Sequence, residues 1–296
     1  MKNRTKYFIC AGVVMCGVGL GLLGVGSVLG GRTYVKEADL NEMSAAAMQA
    51  DHRGESMSKT KIEEIRNLKV DLENIDFELA LSGDDHYYLS YNLDENNQQN
   101  TFTNEQKGDT LLLQESADVG VSSEVHIDIR FLSYLFGNEE ALEEQNIVRL
   151  YVPEKNQLKD CSIQVTDGDV FLQGVHADNM EIHQSYGDLN LIDTELKQGS
   201  IQIKDGELSA TNILIEKTVD VQSKYGSIDI KLNPDCSDAI SISAETKYGE
   251  IDASHQLGGR TTEDANNVEK QLYDKKGSDD TKSLIVQTKD GDIMLR

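Results

Sequence analysis

The chain has no tryptophan, few other aromatic residues and only two prolines. Its 296 residues are 38% hydrophobic and 6% aromatic, which argues against a large core built from big side chains. Thin cores of alternating isoleucine, leucine and valine in stacked strands fit this composition better. Basic residues are also scarce, because 28 lysines and arginines oppose 52 aspartates and glutamates, for a formal charge of −24. Nucleic acid is therefore not an expected partner. The acidic residues are expected to keep a strand-rich surface soluble, and a cationic ligand such as a peptide or metal ion is the alternative.

One long apolar run stands at the start of the chain. Residues 7–31 carry no charged side chain and are long enough to span a bilayer as one helix. Lys2, Arg4 and Lys6 precede this run, so the positive-inside rule places residues 1–6 in the cytoplasm and the rest of the chain outside. No Ala-x-Ala cleavage pattern occurs within this run, so we expect an uncleaved signal anchor in the cell membrane. Glycines four residues apart could let this helix pack against a second copy or another membrane protein. These glycines are Gly17, Gly21, Gly26 and Gly30.

The segments after the anchor differ in pattern. Residues 32–66 contain good helix formers followed by a polar stretch, which predicts a juxtamembrane helix and a tether. Residues 67–296 instead show period-two alternation that is typical of strands. Two insertions interrupt it: residues 131–146 could cap the strands or form an apolar patch, and residues 255–280 read as a flexible surface loop.

A glycine returns about every twenty residues within the strand region. Each return follows Asp or Tyr and precedes a short alternating run such as Val170-Phe-Leu172. This period without a helical pattern predicts an all-β fold, a β-solenoid-like stack of short strands with one tight corner per repeat. We expect positive φ at these corners. The predicted corners are Gly168, Gly187, Gly206, Gly226, Gly249 and Gly291.

The sequence offers little catalytic chemistry. No histidine spacing of the zinc kind, phosphate loop or nucleophile elbow is present, so we expect no enzyme, no cofactor and no metal site. Asp-Gly-Asp at 167–169 and 290–292 is read as turn chemistry instead of a calcium loop. A carboxylate pair for polysaccharide cleavage is a further alternative, although no lysine or aromatic cluster suggests a sugar subsite. Tyr186, Tyr225 and Tyr248 precede their glycines and are expected to stack along one edge as a structural ladder, with a binding strip as the alternative.

The cysteines suggest no disulfide in the strand region. About four repeats separate Cys161 from Cys236, so their Cα atoms would lie well beyond the ~7 Å that a disulfide allows. Cys10 and Cys16 fall in the predicted membrane helix. Buried free thiols are therefore expected at Cys161 and Cys236.

Several of these motifs occur in a familiar order. The strand from Ile75, the strand from Lys107, the Leu150-Tyr-Val-Pro153 step and the recurring Gly-[Asp/Ser/Glu]-[Ile/Leu/Val] corner resemble the bacterial Toastrack family. Its members are also described as candidate adhesins. The resemblance covers about residues 65–296 and implies stacked strands, often near a membrane anchor, with no established catalysis.

The anchor and the repeats together suggest three functions. The first is a single-pass membrane protein that displays a non-catalytic binding or sensing scaffold in the bacterial envelope, with a cationic envelope ligand. The second is an adhesive or structural surface protein. The third is an enzyme acting on envelope polysaccharide.

Overall fold

The computed structural model describes residues 56–93, 100–117, 146–264 and 267–296. This part of the chain is all-β and contains one four-residue helix. The predicted membrane helix at 7–31, the tether up to residue 55 and the insertion up to residue 145 lie outside the described residues. Within the described residues, no helix has the length and apolarity needed to cross a membrane.

Twenty-one strands are present in the described residues. The first half of them are β1 (Ser56–Ile62), β2 (Asn67–Leu72), β3 (Asp76–Leu81), β4 (Tyr87–Asn92), β5 (Asn100–Lys107), β6 (Thr110–Ala117), β7 (Ile147–Val152), β8 (Leu158–Asp167), β9 (Val170–Gln173) and β10 (His176–Tyr186). The second half are β11 (Leu189–Ile192), β12 (Glu195–Asp205), β13 (Leu208–Ile215), β14 (Thr218–Tyr225), β15 (Ile228–Leu232), β16 (Ser241–Tyr248), β17 (Ile251–Ala253), β18 (Arg260–Asp264), β19 (Asn267–Lys275), β20 (Ser283–Asp290) and β21 (Ile293–Leu295). The short helix α1 (Pro234–Ser237) follows β15 and is capped by Asn233, whose side chain accepts the Asp235 N–H.

The strands form two ladders. The long-strand ladder runs β5-β6-β2-β8-β10-β12-β14-β20-β16-β19-β18, and the short-strand ladder runs β1-β4-β7-β3-β9-β11-β13-β15-β21-β17. Pairing is parallel throughout the repeats. We call a rung one long strand and the short strand that follows it, as in β10 with β11. In the six rungs that begin with β8, β10, β12, β14, β16 and β20, the chain crosses from the first ladder to the second at a corner glycine.

The core lies between the ladders and consists of aligned aliphatic side chains. One buried column in the long-strand ladder follows the parallel register through six rungs. Its members are Ile163, Ile182, Ile201, Val221, Val286 and Ala244. Burying one such side chain stabilises the fold by about 1.5–3 kcal/mol for the larger members, so alternation in sequence becomes a continuous core.

The strand region begins earlier than the sequence predicted. Ser56–Ile62 was predicted to belong to the tether, but it forms β1 and pairs antiparallel with β4. The side chain of Lys59 holds this edge strand, because its Nζ lies 4.8 Å from the Tyr88 ring centre and 4.1 Å from that of Tyr151. The tether prediction is wrong for residues 56–62 because pairing and cation–π contacts order a polar segment.

The C-terminal rung lies inside the stack. A stack in simple chain order would have β20 and β21 at its end, yet β20 pairs with both β14 and β16, and β21 pairs with both β15 and β17. The rung of β16 and β17 is therefore placed farther out than the last rung of the chain. Strand alternation alone does not distinguish these positions, because every rung offers the same inward aliphatic pattern.

A hairpin replaces the predicted surface loop at residues 255–276. β18 and β19 pair antiparallel with each other, and β19 pairs antiparallel with β16. Tyr273 on β19 is 2% exposed and donates its hydroxyl hydrogen to the Gly258 carbonyl oxygen. The loop prediction is wrong because this polar segment gains order by pairing with the exposed edge of β16.

Candidate functional site

The six predicted corner glycines lie in one column along the stack. Their spatial order is Gly168, Gly187, Gly206, Gly226, Gly291 and Gly249. Four of them have positive φ, with values of 105°, 144°, 124° and 153° for Gly187, Gly206, Gly226 and Gly291. L side chains rarely adopt this backbone region, which explains the choice of glycine there.

Close backbone approach gives a second reason for glycine. A Cβ on Gly206 would lie 1.9 Å from the Gly187 carbonyl oxygen, and one on Gly226 would lie 2.0 Å from that of Gly206. The prediction of positive φ is wrong for Gly168 and Gly249. Sterics explain their identity instead, because their Cβ atoms would lie 2.8 Å from the Ile75 carbonyl oxygen and 2.1 Å from that of Gly291.

Carboxylates that follow the glycines bind neighbouring rungs. The Asp188 N–H donates to Asp169 Oδ1 at 2.8 Å, and the Glu207 N–H donates to Asp188 Oδ1 at 2.9 Å. The Glu250 N–H donates in the same way to Asp292 Oδ1 at 2.8 Å. Asp169 and Asp292 of the two Asp-Gly-Asp motifs thus stabilise the corner. No group of three or more metal-ligating side chains suited to an ion occurs within the described ranges.

Tyrosine and aspartate alternate at the position before the glycine. Along the stack this column reads Asp167, Tyr186, Asp205, Tyr225, Asp290 and Tyr248. The tyrosines are therefore two rungs, or roughly 10 Å, apart, which is too far for their rings to stack on each other. The idea of a stacked tyrosine ladder is wrong because an aspartate separates each pair. The inserted C-terminal rung supplies Asp290 and keeps the alternation.

A column of lysines lies beside the tyrosines. It runs through four consecutive rungs as Lys204, Lys224, Lys289 and Lys247, all of them exposed. Three of these ammonium groups lie over a tyrosine ring of their own or the adjacent rung, at 4.7 Å for Lys204 and Tyr186, 5.1 Å for Lys224 and Tyr225, and 4.9 Å for Lys247 and Tyr248. Lys289 lies 5.5 Å from the Tyr225 ring centre. We call these four lysines with Tyr186, Tyr225 and Tyr248 the lysine–tyrosine strip.

The chemistry of the strip differs from that of the whole chain. Lys204 Nζ donates to the Tyr186 hydroxyl oxygen at 2.8 Å, and this bond, with Asp205 nearby, raises the pKa of Lys204. The sequence carried a signal for the strip in the tripeptides Lys-Asp-Gly and Lys-Tyr-Gly that precede four of the corners. Reasoning from sequence missed the lysines because neighbouring members of their column are 20 to 65 residues apart along the chain.

Three glutamines and a histidine form a column beside the strip on the long-strand ladder. His183, Gln202, Gln222 and Gln287 occupy aligned positions on four adjacent strands. A shallow groove of about 310 Å³ lies between the first three rungs and is lined by Gln202, Gln222, Lys204 and Lys224 among others. This outer face therefore offers repeated hydrogen-bonding groups beside repeated cations.

A second shallow groove lies at the other end of the long strands. It has a volume of about 460 Å³, and Asp160 and Glu181 contribute to its lining. Asp160 Oδ1 accepts a hydrogen bond from Asn179 at 2.9 Å, while Glu181 Oε1 lies 2.9 Å from His183 Nε2. These two carboxylates are each paired with a neighbouring polar side chain.

The two cysteines of the described residues are buried free thiols. Burial raises the pKa of the Cys161 thiol to about 12, which leaves it protonated and a poor nucleophile at neutral pH. Cys236 Sγ contacts the Ile213 carbonyl oxygen at 3.5 Å. The predicted helix-packing glycines Gly17, Gly21, Gly26 and Gly30 lie outside the described residues.

One protein family matches this architecture. Residues 154–296 match the model of the Toastrack DUF4097 family. These residues form a Toastrack domain. The match begins at the rung of β8 and includes all six corner glycines and the lysine–tyrosine strip, whereas the resemblance seen in sequence motifs began near residue 65. No curated protein matches the sequence.

Solved structures with a similar arrangement come from several bacteria. A candidate cell adhesion protein from Clostridium sporogenes is 14% identical, with a TM-score of 0.33, and the match covers 82% of this chain and 99% of that one. A candidate adhesin from Bacteroides fragilis is 14% identical, with a TM-score of 0.39, covering 81% and 95%. A candidate lipid-binding protein from Parabacteroides distasonis is 14% identical, with a TM-score of 0.29, covering 82% and 98%.

Proposed function

We propose that this protein is a non-catalytic binding scaffold of the bacterial cell envelope. Its Toastrack domain would lie outside the cell, held at the membrane by residues 7–31, whose uncharged run suits one bilayer-spanning helix. Each repeat would act as one coil of a β-solenoid-like stack. The observation that supports the binding role is the alignment of like side chains on one outer face, where Gln202, Gln222 and Gln287 occupy adjacent rungs.

Alignment of this kind favours an extended ligand over a compact one. Stacked rungs repeat the same group about every 4.8 Å, so a linear polymer can make many similar contacts at once. Each contact can be weak, because linked contacts raise the overall affinity without any single deep pocket. The two shallow grooves on the long-strand ladder agree with surface binding of this kind.

Cosedimentation with insoluble cell walls tests the scaffold role. Purified full-length protein is incubated with Gram-positive walls and, as the comparison, with cross-linked dextran beads, and the bound fraction is measured after centrifugation. We expect saturable binding to walls and little to the beads. Equal recovery with both materials, or none with walls, would contradict the proposal.

The enzyme alternative depends on Asp160 and Glu181 in the second groove. Glycoside cleavage requires a carboxylate pair about 5–10 Å apart, and these side chains lie at diagonal positions on adjacent strands. The same wall incubation separates the two functions. Release of new reducing ends that disappears in Asp160→Asn would favour the enzyme, whereas binding without release favours the scaffold.

Crosslinking separates sensing from simple adhesion. A sensing scaffold requires a membrane partner, so a crosslinker applied to intact cells should join the protein to a second membrane protein. An adhesive protein would bind walls or neighbouring cells with no such product.

A further inference from the structure

The lysine–tyrosine strip is the surface where the exposed chemistry departs most from the rest of the molecule. Three of the four exposed large hydrophobic side chains in the described residues are its tyrosines, with Tyr186, Tyr225 and Tyr248 at 43%, 36% and 40% exposure. Exposed aromatic rings in a regular row are a common feature of binding surfaces, because they offer large contact area at low entropic cost. Their row runs along the stack, at every second rung.

The lysines add a charge pattern that folding alone does not favour. Like charges on directly adjacent strands repel each other, and here four lysines occupy four consecutive rungs. Cation–π contacts with the tyrosines offset part of this cost. In a chain with a net charge of −24, this line concentrates four cations on one outer face.

The acids beside the lysines have structural contacts of their own. The carboxylates of Asp169, Asp188 and Asp292 follow the corner glycines and accept backbone N–H groups from the next rung. Asp205 and Asp290 alternate with the tyrosines and reduce repulsion within the lysine column. All four lysines are exposed, and Lys204 and Lys224 line the first groove beside Gln202 and Gln222.

We propose that the lysine–tyrosine strip binds a linear polymer with regularly spaced anionic groups, laid along the stack. Successive anionic groups of the polymer are neutralised by Lys204, Lys224, Lys289 and Lys247. The polymer needs no base or other specific recognition element. The tyrosines stack on apolar or sugar faces of the polymer, and the side chains of Gln202, Gln222 and Gln287 donate hydrogen bonds to it. This inference rests on the proposed scaffold function and names its ligand class, which can be an acidic polysaccharide or a phosphate polymer.

Binding of defined polymers to full-length protein tests the strip. Polygalacturonate supplies carboxylates on a sugar chain, inorganic polyphosphate supplies phosphates without sugar, and dextran supplies neutral sugar. We expect binding to at least one anionic polymer, weakening with added salt, and none to dextran. If the wild type prefers polygalacturonate, and if Tyr225→Ala loses affinity for it while Tyr225→Phe does not, the ligand is an acidic polysaccharide. If Tyr225→Ala binds polyphosphate as tightly as the wild type does, the ligand is a phosphate polymer.

A charge-matched pair of double variants locates the site. Lys204→Gln with Lys224→Gln should weaken anionic polymer binding by about tenfold or more. Lys217→Gln with Lys231→Gln removes two exposed lysines outside the strip. This control should change the affinity for the anionic polymer by less than about twofold. Thermal melting of both variants checks that the fold is retained, as expected for exposed side chains.

Two results would overturn the inference, and they differ from failure of the scaffold. If the wild type binds no anionic polymer, or binds dextran equally well, the ligand class is wrong. If both double variants bind equally well, the strip is not the site. If the wild type binds cell walls in either case, the scaffold function still stands. If the wild type does not bind cell walls, both the scaffold function and the polymer site are contradicted.

Discussion

At the scale of single residues, the corners are built by backbone atoms that approach too closely for any side chain. The Gly206 carbonyl oxygen occupies the space where Gly226 would carry a Cβ, 2.0 Å away, and the φ of Gly226 is 124°. The carboxylates beyond the corners then tie each rung to the next, as Asp188 does for Glu207. The recurring Asp-Gly and Tyr-Gly pairs are thus packing features first.

Substitutions of two glycines should separate the cost of positive φ from the cost of displacing the neighbouring rung. Gly226→Ala must both adopt positive φ and displace the neighbouring rung, so we expect a loss of about 3 kcal/mol or more in the free energy of unfolding. Gly83→Ala is the matched control, because Gly83 has φ of 80° but no atom within 4 Å of the added Cβ. It should lose only about 1 kcal/mol. Denaturant unfolding measures both, and equal losses would show that rung contact at the corner is not significant.

At the scale of elements, the ends of the stack are covered by strands that do not follow the repeat. The β18–β19 hairpin pairs with β16 and covers an edge that could otherwise recruit a strand from another molecule. Tyr273 fixes the hairpin by burying its ring and donating to the Gly258 carbonyl oxygen. At the opposite end, β5 and β6 form the corresponding antiparallel pair.

Changes at Tyr273 should distinguish packing from hydrogen bonding in this cover. Tyr273→Ala should lower the free energy of unfolding by about 3–5 kcal/mol, because it leaves a large cavity under the hairpin. It should also cause concentration-dependent association through the loosened edge of β16, which light scattering would detect. Tyr273→Phe keeps the ring and should cost about 1 kcal/mol without association. A monomeric, fully stable Tyr273→Ala protein would show that the hairpin is not a cover.

Strand content could be predicted from sequence, but strand order could not. Alternation as in Val170-Phe-Leu172 and the glycine period carry local information about each repeat, which is why the all-β prediction is confirmed. The hairpin was missed because residues 255–276 are polar and gain their order from β16. The site was missed for a similar reason, since Lys224 and Lys289 are 65 residues apart in sequence and meet only because the last rung is inserted.

At the scale of the whole molecule, function depends on alignment between rungs. The inserted C-terminal rung places Lys289 between Lys224 and Lys247, and Asp290 between Tyr225 and Tyr248. A stack in simple chain order would bring β14 beside β16, put Tyr225 next to Tyr248 and move the C-terminal lysine to the end of the column. The alternation of tyrosine and aspartate beside the lysine column therefore depends on this rung order.

Engineered disulfides measure the rung order directly. Gln222 and Gln287 are paired across β14 and β20, so Gln222→Cys with Gln287→Cys places two thiols on adjacent strands, within the Cα separation of ~7 Å that a disulfide allows. Gln222→Cys with Glu245→Cys is the control, because these positions are two rungs, or roughly 10 Å, apart. After mild oxidation of the folded full-length protein, mass spectrometry of the linked peptides should find the 222–287 bridge in high yield and little of the 222–245 bridge. The reverse yields would contradict the inserted rung and the alternation of tyrosine and aspartate along the strip.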